Sequence, residues 1–329
     1  MKILVTGVAI AAFCLQAQPV AKPAAPEKAA AAKKYVAPRT PDGHPDFQGV
    51  WSNATITPIE RPAELGAKQF FTEKEATDSL KEILDRTNAD RRDGGASADV
   101  GRAYNQFWYD RGSALVSTRR TSLITDPPDG KLPPLTAEAQ KRGDDLRGYN
   151  RLHPSDGPEN RGLSERCLTW GTAGPPMLPS AYNNNYQVTQ VPGYFVILNE
   201  MIHDARIIPI DQRPHLDPGI RQWFGDSRGH WEGDTLVVDT SNFSGKTRFR
   251  GSDEKMHLTE RFTRTAADTL LYQFTVDDPT SFTKAWSGEI PSWKSEDKIY
   301  EYACHEGNYG MEGILAGARN DEKAANKHE

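Results

Sequence analysis

The feature that most constrains this chain is a succession of short alternating segments between about residues 186 and 305, with no helical pattern among them. Tyr186 to Val191, Tyr194 to Ile210, Thr235 to Thr240, His257 to Arg264, Leu270 to Val276, Phe282 to Ile290 and Ile299 to His305 read as strands. Pro192-Gly193 and Glu232-Gly-Asp234 supply turn chemistry between them. Gly49-Val-Trp51 and Arg120 to Thr125 add two upstream candidates. Strands that follow one another without crossover helices pair antiparallel, so the expected fold is mostly β. The sheet either closes into a barrel or folds into a sandwich, with short helical inserts. Two such inserts are legible. One starts at the capping box Thr72-Glu-Lys-Glu75 and runs to about Asp90; the other runs from an N-cap at Thr136 to about Leu146.

The alternation also carries charge in unexpected places. Leu270, Tyr272, Phe274 and Val276 make a clean apolar phase, but Leu258 and Phe262 share theirs with Glu260 and Arg264. Glu301 and His305 likewise share a phase with Ile299 and Ala303. A dry, unpaired charge costs several kcal/mol. These faces therefore look outward, or the interior is polar.

The N-terminus has its own pattern. Met1-Lys2 precedes an apolar stretch from Ile3 to Leu15 and a small residue, Ala17, which reads as a signal peptide over residues 1–17. The stretch falls short of the roughly 20 apolar residues that span a bilayer. The expectation is an exported protein, periplasmic or extracellular, with no integral membrane segment after cleavage. Residues 18–40 are Ala, Pro and Lys and read as a linker; residues 41–319 read as a single β-rich domain and 320–329 as a mobile tail. A net charge of -5 argues against a nucleic-acid partner. Of the three cysteines, Cys14 leaves with the leader, and the remaining pair, Cys167 and Cys304, reads as a disulfide joining a loop to the last strand.

Pro41-Asp-Gly-His-Pro-Asp-Phe-Gln-Gly-Val-Trp51 resembles the opening of a group of uncharacterised secreted proteins from soil and marine bacteria. Asn199 to Ile208, Trp231 to Val238 and Tyr302 to Tyr309 are similar to the same group. The resemblance implies no activity. More loosely, Gly49-Val-Trp51 resembles the Gly-x-Trp of lipocalins and other calycin barrels, which implies a closed barrel with a ligand cavity and Trp51 packed across one end.

Several constellations could carry chemistry. Gly225-Asp-Ser-Arg-Gly229 matches the G-x-S-x-G of hydrolase nucleophile elbows, but no helix pattern follows, so Ser227 reads as an ordinary loop residue. On a regular strand Glu200 and Asp204 face one way with Arg206, and His203 the other with Asn199. Cys304-His-Glu-Gly-Asn-Tyr309 is the densest polar cluster. Asn184, between Tyr182 and Tyr186, offers an amide suited to a polyol.

Together these nominate His305, Glu306, His203 and Tyr309 as catalytic, and Arg206, Glu260, Arg264, Trp51 and Asn184 as substrate-binding. No cofactor is called for. A zinc site from His203, His305 and Glu200 or Glu306 is the weaker variant, since no ligand-spaced histidine pair exists. The functional expectation is an exported enzyme doing cofactor-free acid/base chemistry, as lyase, isomerase or hydrolase, on a small polar-aromatic or sugar-like substrate. Its competitor is a lipocalin-like carrier of a small apolar or aromatic ligand.

Overall fold

The computed structural model describes residues 35–91 and 105–326, with positions 95 and 97 between them. The expected signal peptide and most of the linker lie outside the described residues. Chain order runs β1 (Gly49–Ser52), α1 (Glu73–Thr87), β2 (Ile124–Asp126), α2 (Ala137–Leu152), β3 (Asn185–Val191), β4 (Tyr194–Asn199) and β5 (Ala205–Pro209). It continues through β6 (Asp226–Glu232), β7 (Thr235–Ser241), β8 (His257–Ala266), β9 (Thr269–Asp277), β10 (Trp286–Lys294) and α3 (Tyr309–Ala325).

All pairings between these strands are antiparallel, in the order β5-β4-β3-β1-β10-β9-β8-β7-β6, with β2 on the flank of β10. The expected antiparallel β architecture is present, as a nearly closed barrel rather than a sandwich. β1 inserts between β3 and β10, pairing Trp51 with both Tyr186 and Lys294. β2 and β1 share one edge of β10 end to end, so that edge is filled.

The barrel interior follows from the period of two. Leu258, Glu260 and Phe262 of β8 point inward, as do Leu270, Tyr272, Phe274 and Val276 of β9. Phe195, Ile197, Ile208, Leu236, Val238, Trp286 and Ile290 complete the same apolar cluster. Trp51 is fully buried, donating from Nε1 to the Phe47 carbonyl at 2.8 Å.

β5 and β6 face each other across the one seam without ladder bonds. Gly229 sits there because a Cβ would meet Ile210 Cγ2 at 2.7 Å and Ile208 Cγ2 at 3.3 Å. Two strands thus approach through aliphatic contact where hydrogen bonds are missing.

Both expected helices form with their caps: Thr72 and Glu75 complete the box on α1, and Thr136 Oγ1 accepts from Ala139 N on α2. Five expectations need correction. The segment Tyr194 to Ile210 is broken, because Ile202 and His203 take positive φ (65° and 49°) in a tight turn between β4 and β5. β10 runs four residues later than expected, from Trp286 to Lys294. Ile299 to His305 is not a strand, and residues 320–325 of the expected tail belong to α3. The end of the expected linker is also packed: Ala37 is buried, and Asp46 N donates to the Pro38 carbonyl. Among the described residues, no helix is long and apolar enough to cross a membrane.

Candidate functional site

The nominated residues do not share one place. Arg206 and Glu260 do meet, deep inside. Arg206 Nη2 donates to Glu260 Oε2 at 2.6 Å and Nη1 to Oε1 at 3.1 Å, with side-chain exposures of 6% and 0%. Nη2 also reaches Ser227 Oγ (3.0 Å) and Thr240 Oγ1 (3.4 Å), and Tyr272 OH donates to Glu260 Oε1 at 2.8 Å. Burial, with the Glu260 carboxylate second, pushes the Tyr272 hydroxyl well above its ordinary pKa, so it stays a donor. These side chains come from β5, β6, β7 and β8, in order across the seam. The polar phase that looked anomalous in the sequence is a bidentate ion pair lacing the barrel shut where backbone pairing fails. Ser227 is buried within it, on a strand and not on an elbow.

Trp51 and Arg264 also meet. The guanidinium carbon of Arg264 lies 5.6 Å from the Trp51 ring centroid, while Nη1 donates to the Asp46 carbonyl and Nη2 to that of Ala267. This fastens the N-terminal segment over one barrel end. Asn184 is buried, accepting from Ser180 N at 2.7 Å and donating to the Asp110 carbonyl. It clamps loops instead of presenting an amide.

The catalytic nominees do not converge. His305, Glu306 and Tyr309 are exposed around the start of α3, with Tyr309 80% exposed. His203 is also exposed, its Nδ1 3.0 Å from the Tyr302 carbonyl. Cys167 and Cys304 are joined with an S–S distance of 2.03 Å, though Cys304 lies in an irregular segment and not on a strand. Among the described residues no three His, Cys, Asp or Glu side chains are grouped to hold a metal.

A larger concave feature among the described residues lies elsewhere. A cleft of about 660 Å³ opens beyond the barrel end where β6 and β8 begin and β7 stops. Its floor is Phe243 and Met256, both buried members of the barrel core. Phe249 beside them stacks on Trp286 at a centroid distance of 6.0 Å. Its walls are Trp170, Trp223 and Phe224, with Leu146 and Asn150 contributed by α2. The two aromatic loops are locked together at Gly174, where any Cβ would overlap the Phe224 ring. Arg161, Arg166, Lys246 and Arg248 also border it, opposite a single carboxylate, Glu159.

None of these lining residues was nominated from sequence. The readable signal was the basic–aromatic run Lys246-Thr-Arg-Phe-Arg250 together with Trp223-Phe224, both in segments without periodicity.

A second titratable chain pins the loop that carries Trp223 and Phe224. His215 places Nδ1 2.9 Å from Asp226 Oδ2 and Nε2 2.8 Å from Asp239 Oδ1. Asp239 Oδ2 in turn meets His257 Nε2 at 2.5 Å, and Arg228 holds the far side of Asp226. The hydrogen bond that His257 donates to Asp239 raises the His257 pKa above its ordinary 6.5, with partial burial opposing and Asp277 assisting. Burial works against ionisation of Asp239, but the bonds from His257 and His215 outweigh it and hold its pKa below 3.8.

The linkage signs follow from these directions. His257 contributes stability that is complete below pH 6.5 and is lost as pH rises through its elevated folded pKa. Asp239 contributes stability above pH 3.8 that is lost on acidification through its depressed one. Both side chains are more than a third exposed, so the pair is worth only about 0.2–1 kcal/mol. Unfolding free energy is expected to decline from pH 6 to 9, and less so in His257→Gln, as read by urea denaturation. An identical decline in the variant would remove His257 as the cause.

Comparison with protein-family models, with curated proteins and with solved structures returned no match.

Proposed function

We propose that this chain is an exported binding protein whose cleft holds a small molecule with a flat, apolar or aromatic body. The observation that carries the reading is the cleft itself. Its volume of about 660 Å³ falls within the roughly 300–1,000 Å³ of small-molecule sites, and its lining is aromatic on both floor and walls. Aromatic rings give a planar guest large contact area with little side-chain entropy to lose. The lining contains no histidine, whereas the histidines nominated for acid/base work stand exposed outside it. A carrier is therefore better supported than a lyase, isomerase or hydrolase. Export rests on the apolar leader at residues 3–15 and on the Cys167–Cys304 bridge, which suits an oxidising compartment such as the periplasm or the exterior.

Binding of naphthalene-2-carboxamide, followed by equilibrium dialysis, tests the reading. The intact protein is expected to bind it one-to-one, and Trp223→Ala to weaken binding roughly tenfold, about 1.4 kcal/mol. Tyr309→Ala, in the exposed cluster, should leave affinity unchanged. Equal affinity of Trp223→Ala and the parent, or loss of binding in Tyr309→Ala alone, would move the site away from the cleft.

A further inference from the structure

We infer that the cleft selects organic anions, specifically an aromatic body bearing a carboxylate; this rests on the binding reading above. The chain as a whole is acidic, with 40 Lys and Arg against 45 Asp and Glu. The cleft inverts that balance, since four cations and one carboxylate border it.

The inversion is not absorbed by internal pairing. Arginines elsewhere have carboxylate partners: Arg120 with Glu289, Arg228 with Asp226, Arg261 with Glu232. Arg161 at the cleft is also paired, through Nη2 to Glu165 at 2.6 Å, but its buried Nε has no acceptor. Arg166, Lys246 and Arg248 make no ion pair with any described residue. Three cations without an ion-pair partner among the described residues, around one concavity on a chain of opposite net charge, focus positive potential into it.

The position of the charges sets the ligand's shape. Phe243 and Met256 close the floor while Arg166 comes from the loop before β3 and Lys246 and Arg248 from the loop between β7 and β8. A guest that lays its ring between Trp170, Trp223 and Phe224 brings an attached carboxylate within the field of both loops. Guanidinium groups match a carboxylate in planar, two-point geometry, which an amide or alcohol cannot use. The enclosed size argues for one or two rings and against a polymeric anion such as nucleic acid.

The test compares naphthalene-2-carboxylate with its neutral isostere naphthalene-2-carboxamide, by equilibrium dialysis at 20 mM and 1 M NaCl. The expected result is at least tenfold tighter binding of the carboxylate at low salt, with the gap collapsing at high salt. Arg166→Gln combined with Arg248→Gln should narrow the gap at least threefold, by weakening carboxylate binding more than carboxamide binding. Equal binding of the two compounds to the parent protein overturns the anion selectivity and leaves the aromatic cleft standing. Binding of neither overturns both. A gap that narrows less than threefold in the double variant overturns the assignment to these arginines.

Discussion

Glu260→Gln is expected to lower the unfolding free energy by about 3–5 kcal/mol, because it strands the Arg206 guanidinium inside the barrel without a counter-charge. Arg206→Leu should cost about as much for the mirror reason, leaving the buried Glu260 carboxyl with only the Tyr272 hydroxyl as its partner. The double variant Arg206→Met with Glu260→Leu should be milder than either single change, since no charge is then left buried. Urea denaturation of the three variants measures this. A loss under about 1 kcal/mol in Glu260→Gln would show that water reaches the pair and that the seam does not depend on it. The effect is expected to be global. The pair links β5 to β8 across the seam, where β5 and β6 have no ladder bonds to each other.

The second large effect concerns Cys167 and Cys304, which are 137 residues apart. A crosslink closing a loop of that length is worth about 5 kcal/mol in the chain-entropy model. Removing it with Cys167→Ala and Cys304→Ala should loosen the segment after β10 first. That segment is otherwise held by Tyr302 packing on Ala173, Met201 and Ile202, by bonds from Ser295 N to the Val50 carbonyl and Tyr300 N to Glu200, and by Asn308, Arg319 and His203 contacts to the Glu165, Ser155, Asp156 and Tyr302 carbonyls. The expected result is rapid proteolytic cleavage between residues 298 and 326 while the aromatic near-UV signal of the barrel persists. Cleft affinity should also fall, because Arg166 adjoins Cys167 and shares its loop. Equal protease resistance of the variant and the parent would show that the tail is held by packing alone.

The cases where reading the sequence succeeded and failed have physical causes. β7, β8 and β9 were legible because each puts a bulky residue into the core at every second position. β6 was hidden because its interior positions are Ser227 and Gly229, chosen small by the seam rather than apolar by the core. Ile299 to His305 alternates like a strand but finds no free edge on β10, the strand it follows, since β1 and β2 occupy one side of it and β9 the other. α3 escaped because Gly310, Gly313 and Gly317 lower its helix propensity, and its position is secured by neighbours far away in sequence.

For the site, Arg206, Glu260, Trp51 and Arg264 were expected to bind substrate, and in the structure Arg206 pairs with Glu260 while Arg264 lies over Trp51. The charge on an apolar phase signalled a partner, and only the barrel's circular order could say that the partner sits on β5. Apart from Leu146 and Asn150 on α2, the cleft residues come from segments between residues 159 and 256, where no periodicity links sequence position to direction. The sequence by itself determined the antiparallel sheet, its capped helices and the cysteine pair, because those follow from period, capping chemistry and cysteine number. The tertiary structure alone decided that the interior charges close a seam and that five scattered loop aromatics and three cations without an ion-pair partner among the described residues share one concavity. Closure of the barrel is what brings those segments to the same end, and closure is a property of the whole sheet rather than of any stretch of it.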